Sequence, residues 1–182
     1  MGQSAREEII ARLKAAPKIA ISPRPEMPPL KELSLTKEEM VQKFSAILVE
    51  ESGVVYRVKD PQAALDKLAQ IVKEEGIKKV IASTDEVVAP LDLPLWGQKN
   101  GLKIMTPKDF ADRDSYKNFV FDEAEAGITG ADFAVAESGT LALIHNKDQA
   151  RLVSLAPILH IAIVPLERIV PVYEHATEKA FS

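Results

Sequence analysis

Apolar and polar positions along the chain follow a helical period in some stretches and a strand-like one in others. Over residues 6–16, Ile9, Ile10 and Leu13 recur near helical spacing, with Arg6, Glu7, Glu8, Arg12 and Lys14 left for the wet side. Prolines at 17, 23, 25, 28 and 29 follow, so residues 17–29 are expected to form a stiff, extended connector. This predicts an N-terminal arm over residues 1–30 and a main domain over 31–182. A helix of three turns does not hold itself together in water. Its apolar stripe is therefore expected against the main body or a neighbouring subunit, and the second case would make the protein a homo-oligomer.

Thr36 and Glu39 have the spacing of a capping box, and Met40, Phe44, Ile47 and Leu48 continue a helix towards Gly53. Residues 54–58 read as a strand. Asp60-Pro61 opens the next helix, whose buried face is Leu65, Leu68, Ile71 and Val72 and whose stop is Gly76. Residues 79–82 form a strand with no wet face. Helix and strand alternating through short connections imply a mostly parallel sheet covered by helices, a three-layer α/β/α domain.

Further on, residues 87–110 carry a short helix around Leu95 and a strand at 102–105. Residues 118–121 read as extended and 123–126 as a brief helix. Two apolar runs, 133–137 and 140–144, flank Ser138-Gly139 at hairpin spacing. A short helix over 151–156 ends at Pro157, a core strand covers 158–164 and a terminal helix 173–181.

Composition narrows the function. A formal charge of −4 and a pI near 5.5, with basic residues scattered among acids, argue against nucleic-acid binding. No apolar run reaches the roughly 18 residues needed to cross a bilayer, and a cytoplasmic location is expected. The sequence has no cysteine, which removes disulfides, thiol nucleophiles and cysteine-held iron–sulfur clusters together. His145, His160 and His175 match none of the short zinc-ligand spacings, so no metal site is expected.

Chemistry concentrates in residues 127–140. Gly127 and Gly130 are expected to bracket a turn whose amides face an anion, although the string is neither a dinucleotide fingerprint nor a P-loop. Glu137 ends an apolar strand and is followed by Ser138, Gly139 and Thr140, which sets a carboxylate and two hydroxyls around one turn. Two readings stay open for Glu137: a turn acid satisfied by nearby amides, or a catalytic base or nucleophile. Asp132 reads as a turn residue. Arg151 is suited either to a substrate carboxylate, which a guanidinium meets in bidentate fashion, or to an ion pair with Asp148. His160, inside an apolar run, is either a buried neutral histidine or a catalytic one. Trp96 covers a pocket or a core edge. The candidate binding set is Thr129, Gly130, Ser138, Gly139, Thr140 and Arg151, with Glu137 as the candidate catalytic group.

The strings Gly127-Ile128-Thr129-Gly130-Ala131-Asp132 and Ala136-Glu137-Ser138-Gly139-Thr140-Leu141, then His160-Ile161 and Arg168-Ile169-Val170-Pro171, resemble the lactate-utilisation protein C family, the LUD domain. Ser138 stands where that family usually has Thr, which keeps the hydroxyl. The resemblance implies a fold similar to the sugar-phosphate isomerases and CoA transferases. It also implies a part in oxidising L-lactate to pyruvate alongside two iron–sulfur partner proteins, with no cofactor in this chain and a small carboxylate as ligand. Two alternatives stand beside it. One is an independent acyl- or phosphate-ester-processing enzyme using Glu137, by likeness to the CoA-transferase glutamate, although no second glycine-rich loop is present for a CoA pyrophosphate. The other is a non-catalytic ligand-binding or assembly module.

Overall fold

The computed structural model describes residues 5–16 and 33–181, and the chain divides into two units, residues 1–30 and 31–182. In the first unit Ala5–Ala15 forms helix α1, as the apolar spacing predicts, and Arg12 donates to Glu8 one turn back at 2.7 Å. The expected proline connector lies outside the described residues.

The second unit opens on α2, Lys37–Glu50, where the capping box is realised: the Thr36 amide donates to Glu39 Oε2 at 2.8 Å and the Glu39 amide to Thr36 Oγ1 at 3.3 Å. Such reciprocal bonds satisfy donors that a helix start leaves unpaired. Helix α3, Pro61–Glu74, begins with Asp60 accepting the Ala63 amide at 2.7 Å and ends before Gly76, whose φ of +68° suits glycine. There follow β1 (Lys79–Ala82), α4 (Leu93–Lys99), β2 (Lys103–Met105), α5 (Arg113–Asn118), β3 (Ala126–Gly130), β4 (Phe133–Val135), β5 (Thr140–Ala142), α6 (Arg151–Leu155), β6 (Leu159–Ile163), β7 (Ile169–Val170) and α7 (Tyr173–Phe181).

Strands pair in the order β2-β1-β3-β6, all parallel, and this sheet is the middle of three layers. Alternation along the strands sorts the side chains. Val80, Ala82, Ile104, Ala126 and Ile128 face Leu68 and Val72 of α3 and Leu93 of α4. Ile81 faces the other way, into a cluster with Phe119, Val120 and Val153 of α6. Burial on both faces is what left residues 79–82 without a polar side. A smaller sheet, β5-β4-β7, lies between Met40, Val41 and Phe44 of α2 on one face and Ala176 of α7 on the other.

Four expectations need correction. Residues 54–58 form no strand; Val54, Tyr56 and Val58 are exposed, and Arg57 makes a two-pronged bond to Glu38 of α2 at 2.8 and 2.9 Å. A β-type pattern supplies conformational preference but not a neighbouring strand. Residues 118–126 are not extended then helical: α5 runs on through a π-type turn, Phe119–Glu123, and the strand starts at Ala126. Burying Phe119 and Val120 beside Phe110 outweighs their β preference. Gly127 and Gly130 bracket no turn but stand within β3. The hairpin of β4 and β5 is antiparallel as expected, yet residues 136–139, not two residues, connect it. Trp96 packs half-buried at the edge of the first core cluster.

Candidate functional site

The parallel sheet reverses its winding between β1 and β3, since β2 was added on one side of β1 and β3 and β6 on the other. Beyond the carboxyl ends of such a pair the following loops diverge and leave a crevice. One side chain ties the crevice together. Asp85, three residues past β1, accepts the Gly130 amide at 2.9 Å through Oδ2 and the Val87 and Val88 amides at 2.9 and 3.1 Å through Oδ1. Glycine is required at 130 because a Cβ there would lie 2.3 Å from Asp85 Oδ1. At Gly127 a Cβ would meet the Val153 carbonyl oxygen at 1.8 Å, so α6 rides directly on the strand. Close approach, not turn geometry, explains both glycines.

On the α6 side of β3, Thr129 is buried and its Oγ1 lies 2.9 Å from His160 Nε2 on β6. Burial pushes the His160 pKa down from its ordinary value and favours the neutral ring. Gln149, 4% exposed, donates from Nε2 to the Gly130 carbonyl at 2.9 Å; its Oε1 is buried and accepts no hydrogen bond within the described residues. Asn146 shapes the loop that delivers it, Oδ1 accepting the Asp148 and Gln149 amides at 2.8 and 3.0 Å. His145 Nδ1 lies 2.9 Å from the Gln149 carbonyl oxygen and 3.0 Å from the Arg151 amide at the start of α6.

Gln149 stands between two clefts. The first, about 350 Å³, is lined by Thr129, Leu141, His145, Gln149, Arg151 and Ser154 among others. The second, about 430 Å³, includes Thr84, Asp85, Asp132, Asp148 and Arg168. In the second the charges already have partners. Arg168 pairs with Glu86 and donates to the Ala131 carbonyl at 3.0 Å, and Asp132 accepts the Ile144 amide at 2.6 Å. Asp148 is held by Lys108 at 2.9 Å, and that bond lowers its pKa. In the first cleft the Arg151 guanidinium has no ion-pair partner among the described residues, and the expected alternative, a pair with Asp148, does not form.

Of the residues singled out from sequence, Thr129 and Arg151 meet in the first cleft, with Gly130 beneath it as the anchor for Asp85 and Gln149. Glu137, Ser138, Gly139 and Thr140 line neither cleft. Glu137 Oε1 accepts the Tyr173 amide at 3.0 Å, at the first residue of α7. Ser138 Oγ donates to Thr140 Oγ1 at 2.9 Å, and Gly139, with φ of +64°, packs against Ile47 and Leu48 of α2. Sequence reasoning passed over Asp85 and Gln149 and weighed His145 only as a metal ligand. Asp85 had a usable signal, a polar cluster directly after an apolar strand. Gln149 had none, because its burial depends on a loop with no periodicity. Among the described residues no group of His, Asp and Glu is placed to hold a metal ion, and no helix is long and apolar enough to cross a membrane.

A three-layer α/β/α unit with a crevice beyond the carboxyl ends of its parallel strands is thus the class of protein the fold defines. The LUD domain model matches residues 41–180, and the chain belongs to that family. It is similar to lactate utilization protein C of Macrococcus caseolyticus, 31% identical over 121 residues that cover 63% of this chain and 47% of that protein. It is also similar to lactate utilization protein B of Shouchella clausii, 48% identical over 65 residues, 36% of this chain and 13% of that protein. The chain therefore spans less than half the length of these curated relatives. A DUF162 family protein from Deinococcus radiodurans has a similar fold, with a TM-score of 0.60 and 20% identity over 81% of each chain.

Proposed function

We propose that this chain is the LUD-domain component of an L-lactate utilisation system, and that the cleft of Thr129, Gln149 and Arg151 binds its small carboxylate. The observation that carries the site is Arg151, an exposed residue at the lining of a cleft of about 350 Å³ whose side chain has no ion-pair partner among the described residues. Volumes of roughly 300–1,000 Å³ are usual for small-molecule sites. A guanidinium without a protein partner offers two parallel donors to a carboxylate. The likeness to lactate utilization proteins B and C supplies the metabolic setting.

Oxidising L-lactate to pyruvate releases two electrons and two protons, and the sequence has no cysteine to ligate an iron–sulfur cluster. In this reading the electrons pass to iron–sulfur partner proteins in the cytoplasm, while this chain holds the acid. Deleting the gene is expected to stop growth on L-lactate and leave growth on pyruvate intact, with the tagged chain co-purifying with cluster proteins. Normal growth on L-lactate after deletion would overturn the proposal.

A further inference from the structure

His145 joins Thr129 and Arg151 at the lining of the first cleft, and its two ring nitrogens have different surroundings. Nδ1 is turned into its own loop, 2.9 Å from the Gln149 carbonyl oxygen and 3.0 Å from the Arg151 amide nitrogen. One ring nitrogen cannot donate to the first and accept from the second at once. The neighbours decide between them. The Gln149 carbonyl also accepts the Asn146 amide, at 3.3 Å. The Arg151 amide opens a helix, where no intrahelical acceptor exists, and Ala150 before it has no capping side chain. His145 Nδ1 is thus its one acceptor among the described residues. Nδ1 therefore accepts, and the proton of the neutral ring sits on Nε2. Nε2 has no hydrogen-bond partner among the described residues. His145 is exposed although its Nδ1 edge is engaged twice, so the accessible edge of the ring is the one that carries Nε2.

We infer that His145 is a second anion-binding residue of this cleft, its Nε2–H donating to the carboxylate that Arg151 holds. This role rests on the carboxylate reading proposed above and adds a residue to that site. Nδ1 ties the ring to the backbone of the residue whose side chain supplies the charge, so both donors belong to one loop, residues 145–151. An ionised carboxylate has acceptor sites for more than the two parallel donors of a guanidinium. A donor already fixed by backbone bonds has little rotamer freedom left to lose when the acid arrives.

Calorimetric titration of the full chain with L-lactate tests this, using two substitutions that separate the nitrogens. An asparagine side chain reaches only as far as Nδ1 does, and a glutamine side chain as far as Nε2. His145→Asn keeps an acceptor for the Arg151 amide and removes the outer donor. Its affinity for L-lactate is expected to fall about tenfold, with the melting temperature nearly unchanged. His145→Gln keeps an outer donor and gives up the inner acceptor, so its melting temperature should fall while it binds L-lactate more tightly than His145→Asn does. Nitrogen NMR of the His145 ring in the unaltered chain gives a readout that needs no variant. In the neutral ring Nδ1 should carry no proton, and the Nε2–H signal should shift with saturating L-lactate. A proton on Nδ1, an Nε2 signal unmoved by bound L-lactate, or undiminished affinity in His145→Asn overturns the role of His145. The Arg151 site stands in each of those cases if Arg151→Ala still weakens binding. No binding of L-lactate to the unaltered chain overturns the carboxylate reading, and this inference falls with it.

Discussion

Glu137 and Arg151 are both charged side chains beside buried segments, and the fold gives them opposite surroundings. Glu137 stands at the start of α7, where its carboxylate accepts the Tyr173 amide, and the turn behind it packs on α2 through Gly139. Arg151 starts α6 with its backbone amide bonded to His145, and at the lining of a cleft its guanidinium has no ion-pair partner among the described residues. An acid at a helix start is stabilising by itself, because it meets unpaired amides and the positive end of the helix dipole. A guanidinium at a helix start has the unfavourable sign for that dipole and gains nothing there. The difference shows that a charge answering a local structural need gives weak evidence of a site, and a charge set against that need gives stronger evidence.

The comparison breaks most severely at Gly127. In Gly127→Ala the new Cβ meets the Val153 carbonyl oxygen, so α6 has to move. The expected loss is about 3 kcal/mol, a fall in melting temperature of roughly 6–12 °C, read by calorimetry. Arg151→Ala sharpens the contrast from the cleft side. Carboxylate binding should weaken by at least about tenfold, as expected for a lost charged bond, while the melting temperature stays put. Glu137→Ala should do the reverse, costing about 1 kcal/mol as lost helix-start acceptors do and leaving carboxylate affinity unchanged. A loss of binding in Glu137→Ala with an unaltered melting curve would restore Glu137 to the site.

The smallest effect concerns His160. Burial depresses its pKa in the folded chain, so the unfolded chain binds the extra proton first as the pH falls. Its contribution to stability is complete above the unfolded value of about 6.5 and is lost as the pH drops towards the folded one. His160→Gln is expected to flatten the dependence of melting temperature on pH between roughly 7 and 5. An unchanged slope would show that the ring is not held neutral.

The layered architecture was legible because it rests on local signals. Thr36 and Glu39 mark one helix start through their reciprocal hydrogen bonds, and Asp60, accepting the Ala63 amide before Pro61, marks another, while residues 79–82 announce a strand buried on both faces. What was illegible depended on distant neighbours. Residues 54–58 carry a strand pattern with no strand beside them, and the reason for Gly127 and Gly130 is the chain that crosses them, Val153 and Asp85. The candidate site divides in the same way. Arg151 and Thr129 come together at one cleft, whereas Glu137, Ser138 and Thr140, close to Thr129 in the chain, lie around the β4–β5 connection and line neither cleft. Gln149 became visible only when the loop from His145 to Arg151 closed over the end of β3.

Asp85 gives the crevice a property that neither charge nor volume expresses. Three backbone amides, two in its own loop and one at the tip of β3, converge on a single carboxylate, so the loop after β1 is anchored to the central strand. The floor beneath Gln149 is set before a guest arrives. For the carboxylate proposed above, little ordering entropy would be left to be lost on association, and a molecule as small as a three-carbon acid has few contacts with which to offset such a loss.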